Sequence, residues 1–149
     1  MPNTLANQTN SGNPVAQYSG DEATTVGQLL ALVHDFVAAR DWYTYHTPKN
    51  LAMSIAIEAA EIMEHFQWSS LAESQQFLLD PTNRAEVADE LADVMIYCLS
   101  FANASGIDIS QAIQTKLTRN ESRFPVGAVR GRLGVDDSTS PTTGEQATD

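Results

Sequence analysis

The chain has 149 residues, and its 19 acidic and 8 basic side chains give a net charge of −11 at pH 7. Because phosphate backbones attract basic surfaces, this charge argues against a general nucleic-acid binder. A single cysteine excludes a disulfide within the chain and favours a reducing, cytoplasmic location, and no apolar run is long enough to span a membrane.

The two ends of the chain differ from its middle in composition. Residues 1–20 carry no charged side chain and are rich in Asn, Thr, Ser, Gly and Pro, and the last fifteen residues are similarly polar. Such segments bury too little apolar surface to offset chain entropy. The first residues also lack the basic and apolar regions of a signal peptide. We therefore expect a disordered polar tail over 1–20, one domain over 21–126 and a disordered acidic tail over 127–149.

Apolar residues in the middle recur at helical spacing and predict helices in chain order. The first helix is expected to begin near Thr25, with Gln28 completing a capping box, and to end around residues 40–42. The second opens at Thr47 and Pro48, a cap followed by a proline in the first turn, and fades after Trp68. A short helix is expected around residues 71–79.

Two further helices complete the predicted fold. The third is expected to begin near Asn83, with Glu86 in a capping box and Leu91 on its inward face, and to stop at Gly106. The fourth is expected to begin near Asp108, with Gln111 three residues later, and to run to Pro125. The sequence therefore predicts an all-α four-helix bundle. A bundle of about a hundred ordered residues often gains burial by oligomerisation.

Carboxylates interrupt the apolar stripes of the second and third helices. Glu58 and Glu61 stand at positions i and i+3, as do Glu90 and Asp93, and this spacing places each pair on one helix face. Four carboxylates brought together repel one another, and a hard divalent cation such as Mg²⁺ relieves that repulsion. The alternative from the residues alone is two amphipathic helices with solvated acids.

A resemblance to a known family rests on several motifs in order. The segments HTPKNLAMSIAIEAAEIMEHFQW and EVADELADVMIYCLSFANASGIDISQAIQTKLTRNESRFP contain E-x-x-E ending in F-Q-W, then E-L-A-D-V, then K-x-x-x-N-x-x-R-F-P. They resemble the all-α nucleoside triphosphate pyrophosphohydrolases of the MazG-like superfamily, and most closely its dCTP pyrophosphatase branch. The similarity runs from about residue 36 to 125.

The resemblance implies a reaction, a cofactor and a set of site residues. The reaction is hydrolysis of a nucleoside triphosphate, with dCTP or a modified dCTP expected, to the monophosphate and pyrophosphate. Mg²⁺ would be held by Glu58, Glu61, Glu90 and Asp93, with Glu61 or Glu58 also taking a proton from the attacking water. The implied substrate-binding residues are Trp42, Lys49, Trp68, Tyr97, Lys116, Asn120 and Arg123. Lys116 and Arg123 among them belong to the five of the eight bases that cluster between residues 116 and 132.

The family also implies a homo-oligomer, expected here as a dimer of dimers. Two alternatives remain open from the sequence. The same fold could act on dUTP or a damaged purine nucleotide, or the chain could be a non-enzymatic helical module whose acidic stripes bind a basic partner.

Overall fold

The computed structural model describes residues 20–132, and within them all regular structure is helical. The elements are α1 (Val26–Ala38), a 3₁₀ turn (Trp42–Thr44), α2 (Pro48–Glu64), α3 (Leu71–Phe77), α4 (Pro81–Ser105), α5 (Ile109–Arg123) and α6 (Val126–Val129). The predicted all-α fold is confirmed. The predicted tails lie outside the described residues, except residue 20 and residues 127–132, where α6 is found. Within the described part, no helix is long and apolar enough to cross a membrane.

The caps of α1 and α2 are those that the sequence predicts. The Thr25 side chain accepts a hydrogen bond from the backbone N–H of Gln28, and the Gln28 side-chain oxygen accepts one from the backbone N–H of Thr25. Thr47 caps α2 by accepting from the backbone N–H of Asn50, and Pro48 occupies the first helical position. These bonds satisfy backbone donors that the first turn leaves unpaired, so both helices begin where the sequence places them.

The predicted start of the third long helix is wrong. Asp80 caps α4, because its carboxylate accepts from the backbone N–H groups of Thr82 and Asn83. Asn83 lies inside the first turn and donates its side-chain amide to the carbonyl of Phe77. An aspartate directly before a proline combines a strong cap with a residue preset for the first turn, and this outcompetes the Asn83–Glu86 box. The stop at Gly106 is confirmed, in the left-handed conformation at φ 65°.

The chain divides into two compact units between residues 107 and 108. In the first unit α2 and α4 make the most extensive helix contact, and α1 packs on α4. Its core consists of buried side chains from all three helices: Val33, Val37, Leu51, Leu99 and Ala102. Leu91, predicted to face inward, is exposed, so the buried face of α4 is narrower than its apolar stripe.

The second unit contains α5 and α6. The Asp108 carboxylate caps α5 by accepting from the backbone N–H of Gln111, as the sequence predicts. At the other end the Phe124 N–H donates to the Asn120 carbonyl at 2.7 Å. The Arg123 guanidinium lies 5.1 Å from the centre of the Phe124 ring, a cation–π distance.

Candidate functional site

Three carboxylates converge between α2 and α4. Glu58 of α2 and Glu90 and Asp93 of α4 each offer an oxygen, and these oxygens all lie within 4.8 Å of one another. The i, i+3 spacing places Glu90 and Asp93 on one face of α4, and the packing of α2 against that helix brings Glu58 to them. We call Glu58, Glu90 and Asp93 the acid cluster.

The acid cluster has no counter-charge from the described residues. Glu58 and Glu90 are partly buried, and within residues 20–132 no basic side chain forms an ion pair with any of the three carboxylates. Partial burial raises the pKa of Glu58, and the negative charges of Asp93, Glu90 and Glu61 raise it further. Partly desolvated carboxylates that repel one another fit a hard divalent cation, which prefers oxygen ligands.

The remaining acids of α2 lie outside this cluster. Glu61 is exposed and is not among the convergent ligand atoms, although its charge reaches Glu58. Its assignment as a metal ligand therefore stays a prediction. Glu64 is also exposed, and the sequence places it on another side of α2.

The aromatic residues assigned to the substrate lie at several places around α2 and α4. Trp42 opens the 3₁₀ turn, with its ring stacked on His46 at a centroid distance of 6.3 Å. Tyr97 is partly buried on α4, one turn beyond Asp93. Trp68 follows α2, is 91% exposed and lines a shallow surface depression with Phe77. Trp42 precedes α2 and Trp68 follows it, so the two tryptophans lie beyond opposite ends of that helix.

The cationic and amide candidates lie on two helices. Lys49 is exposed in the first turn of α2. Lys116, Asn120 and Arg123 lie on α5 in the second unit, where their i, i+4 and i+7 spacing places them along one side of that helix. Lys116 and Arg123 are exposed, and Asn120 is partly buried. Their roles stay predictions.

A pocket that the sequence did not reveal lies between α1, the 3₁₀ turn and the C-terminal half of α4. It measures about 200 Å³. Its polar wall includes His34, Tyr43, His46 and Ser100. We call it the α1–α4 pocket. The sequence showed no partner for either histidine, and no motif marks Ser100, because these residues come from three separate elements and meet only in the fold.

Comparisons with known proteins agree with the motifs in the sequence. Residues 53–131 match the MazG-like family. A Rattus norvegicus protein named dCTP pyrophosphatase 1 is 35% identical over 114 residues, which cover 76% of this chain and 67% of that protein. The Bos taurus protein of the same name is 30% identical over 148 residues, covering 88% of each chain.

A solved structure extends the likeness to three dimensions. The crystal structure of a pyrophosphatase from Archaeoglobus fulgidus matches with a TM-score of 0.64 and 38% identity. The match covers 72% of this chain and 99% of that one. At 38% identity, the likeness in sequence agrees with the likeness in fold.

Proposed function

This chain belongs to the MazG-like family, and on that premise we propose that it hydrolyses a nucleoside triphosphate to the monophosphate and pyrophosphate. The acid cluster carries the proposal, because three like charges without a counter-charge are costly unless a cation binds them. The names of the relatives support dCTP or a modified dCTP as substrate, in a role of nucleotide-pool cleaning.

Glu58, Glu90 and Asp93 would hold Mg²⁺ through their carboxylate oxygens. When bound, the ion would supply positive charge against the triphosphate and acidify a nearby water. Glu61 is one turn from Glu58, exposed and outside the convergent group, so its carboxylate is free to act as a base. We assign Glu61 to take the proton from the attacking water. Oxygen then bonds to the α-phosphorus, and the bond to the bridging oxygen breaks to release pyrophosphate.

The remaining contacts belong to the nucleoside and the phosphates. Trp42, Trp68 and Tyr97 offer aromatic surface for the base and sugar. Lys49, Lys116, Asn120 and Arg123 offer hydrogen-bond donors for phosphate oxygens and the sugar. The clustering of bases between residues 116 and 132 supports this division, because a triphosphate carries more negative charge than one divalent cation neutralises.

A homo-oligomer, built as a dimer of dimers, is part of the proposal. Large apolar side chains of α2 and α4 are about half exposed or more in the single chain: Met53, Ile57, Met63, Leu91 and Met95. Large exposed apolar side chains of this kind are often covered at protein interfaces. A cytoplasmic location is also proposed and is supported by the single cysteine.

A panel of nucleoside triphosphates, with and without Mg²⁺, tests the reaction. We expect Mg²⁺-dependent release of pyrophosphate, and not of single phosphate, with dCTP or a 5-substituted dCTP turned over fastest. Preference for dUTP or an oxidised purine nucleotide would keep the reaction and change the substrate. Failure of well-folded protein to turn over any triphosphate would leave the non-enzymatic interaction module as the better reading.

A further inference from the structure

A guanidinium group and three rings lie together where α1 ends and the 3₁₀ turn begins. The Arg40 guanidinium lies 3.5 Å from the centre of the Phe36 ring and 5.7 Å from the centre of the Trp42 ring. Both distances are within the roughly 6 Å over which a cation is attracted to an aromatic ring. Trp42 in turn meets Phe36 edge to face and stacks on His46. We call Arg40, Phe36 and Trp42 the arginine–aromatic cluster.

Hydrogen bonding at the end of α1 fixes the position of the guanidinium. The backbone N–H of Arg40 donates to the carbonyl of Val37, three residues earlier. The carbonyl of Phe36, four residues earlier, accepts instead from the Nη1 of the Arg40 side chain at 2.9 Å. The last carbonyls of a helix lack partners within the helix, and an arginine side chain can satisfy them. Arg40 is therefore anchored at the helix end although its side chain is exposed.

The backbone of the turn places Trp42 beside this anchored group. Asp41 adopts the left-handed conformation at φ 53°, and among residues 20–132 no other residue except glycine does so. Residues other than glycine keep this costly conformation where the surrounding structure requires it. The Trp42 carbonyl then accepts from the backbone N–H groups of Tyr45 and His46, and Asn50 of α2 donates its side-chain amide to the Tyr45 carbonyl. The backbone that carries Trp42 is thus fixed at both of its ends.

The Trp42 side chain, by contrast, depends on neighbouring side chains for its orientation. It is 42% exposed, and an exposed side chain can exchange between rotamers. The Phe36 ring supports it edge to face, at a centroid distance of 6.0 Å and an interplanar angle of 73°. Phe36 is itself 46% exposed, so the guanidinium packed on its face limits its rotation. Within the arginine–aromatic cluster, the side-chain hydrogen bond of Arg40 therefore restrains both rings.

The proposed function gives this restraint a use. Trp42 is proposed to offer aromatic surface to the nucleoside, and a ring already held in place loses less conformational entropy when a ligand binds. The guanidinium has one face on Phe36 and one donor on a protein carbonyl, so these contacts are directed to the protein. We propose that Arg40 is a positioning residue, which raises affinity for the nucleoside triphosphate by holding Phe36 and Trp42 without contacting the ligand. This role rests on the proposed function and deepens it.

Steady-state kinetics with dCTP and Mg²⁺ test this role. Arg40→Ala should raise KM roughly two- to fivefold, as expected for loss of an exposed cation–π contact, and leave kcat near the wild-type value. Arg40→Lys should also raise KM, because an ammonium group keeps the charge but cannot stack as a planar guanidinium does. Arg84→Ala is the matched control, since it removes the same charge from an exposed arginine of α4. Its KM should equal that of the wild type.

A double-mutant cycle separates positioning from direct contact. In a Trp42→Ala background the ring that Arg40 holds is gone, so Arg40→Ala should have no further effect on KM. An equal rise in KM with and without Trp42 would show that Arg40 touches the ligand, and would overturn the proposal. Restoration of the wild-type KM by Arg40→Lys would overturn it as well, because charge alone would then be sufficient.

Fluorescence without any nucleotide tests the contact independently of the reaction. The chain has two tryptophans, so Trp68→Phe leaves Trp42 as the only indole. In that background, Arg40→Ala should lower the anisotropy of Trp42 and raise its quenching by acrylamide, whereas Arg84→Ala should change neither. A lower Tm with unchanged Trp42 fluorescence would overturn the proposal, because Arg40 would then stabilise only the end of α1.

Binding of dCMP, measured by calorimetry, distinguishes failure of this role from failure of the proposed function. Weaker dCMP binding by Arg40→Ala, in a protein that hydrolyses no triphosphate, would retain the role of Arg40 and reject the reaction. Turnover of dCTP with an unchanged KM in Arg40→Ala would retain the reaction and reject the role of Arg40. Absence of both turnover and dCMP binding would reject both.

Discussion

The acid cluster and the α1–α4 pocket both hold polar groups without partners, but of different kinds. Glu58, Glu90 and Asp93 are charged and only partly buried or exposed, so water still solvates them. The Ser100 hydroxyl is neutral and fully enclosed. A charge cannot be left unpaired in the interior, whereas a neutral hydroxyl can be, at a moderate cost. The difference indicates a cation site at the acid cluster, because only there does a charge need a partner.

The largest expected effect comes from Glu58→Gln or Asp93→Asn, which change the acid cluster and leave the α1–α4 pocket as it is. Each change removes a charged oxygen from the acid cluster, so Mg²⁺ binding should be lost and turnover should fall by about two orders of magnitude or more. The α1–α4 pocket is untouched by either change. Calorimetry with Mg²⁺ and steady-state kinetics check both expectations.

The control for these variants is Glu64→Gln, which removes an exposed acid of the same helix from outside the cluster. It should keep full activity, and all three variants should keep the helical circular dichroism. Full turnover by Glu58→Gln would remove Glu58 from the metal site.

A second comparison lies within α2, between Glu58 and Glu61. If Glu61 is the base and not a principal ligand, Glu61→Gln should lower kcat by about a hundredfold or more while Mg²⁺ affinity changes little. Metal titration and steady-state kinetics on the same preparation measure both quantities. Loss of Mg²⁺ affinity equal to that of Glu58→Gln would instead make Glu61 a fourth ligand.

A smaller effect concerns the stability of the metal-free protein. Glu58→Gln removes repulsion with Asp93 and Glu90, so the free energy of unfolding should rise by on the order of 0.5 kcal/mol, roughly 2–4 °C in Tm for a domain of this size. Differential scanning calorimetry with a chelator present measures the change. A lower Tm would show that the carboxylate contributes contacts that outweigh the repulsion.

The smallest expected effect is a difference in pKa between the carboxyl groups of Glu58 and Glu73. Partial burial, and then repulsion from neighbouring carboxylates, raises the pKa of Glu58 above 4.5, whereas the hydrogen bonds from Ser70 in the α3 capping box lower the pKa of Glu73. In the metal-free protein, Glu58 therefore lowers stability as pH rises above its ordinary pKa. The ionised Glu73 carboxylate stabilises the folded protein at higher pH, and this stabilisation is lost as pH falls through the lowered pKa of Glu73.

Carboxyl chemical shifts followed through an NMR pH titration should show the two groups on opposite sides of 4.5. Coincident titration of Glu58 and Glu73 would contradict the repulsion on which the metal site depends. Ser70→Ala provides the control, because it should return the Glu73 value towards the ordinary one and leave Glu58 unchanged.

Local signals in the sequence predicted the helices well and one boundary badly. Thr25, Thr47, Asp108 and Gly106 act as predicted, because a cap depends on atoms within three or four residues. The predicted start of α4 was wrong because two possible N-terminal caps lie within four residues of each other. Asp80 with its following proline is a stronger cap than Asn83.

The sequence alone predicted an all-α chain, a resemblance to the MazG-like family and four converging carboxylates, of which the structure brings three together. Each depends on spacing within a helix or on motifs in order, and helical geometry converts such spacing directly into a shared face. Only the tertiary structure decided that Glu61 lies outside the convergent group and that the Trp68 side chain is 91% exposed. It alone assembled His34, Tyr43, His46 and Ser100 around one pocket, because contacts between residues tens of positions apart depend on how whole helices pack.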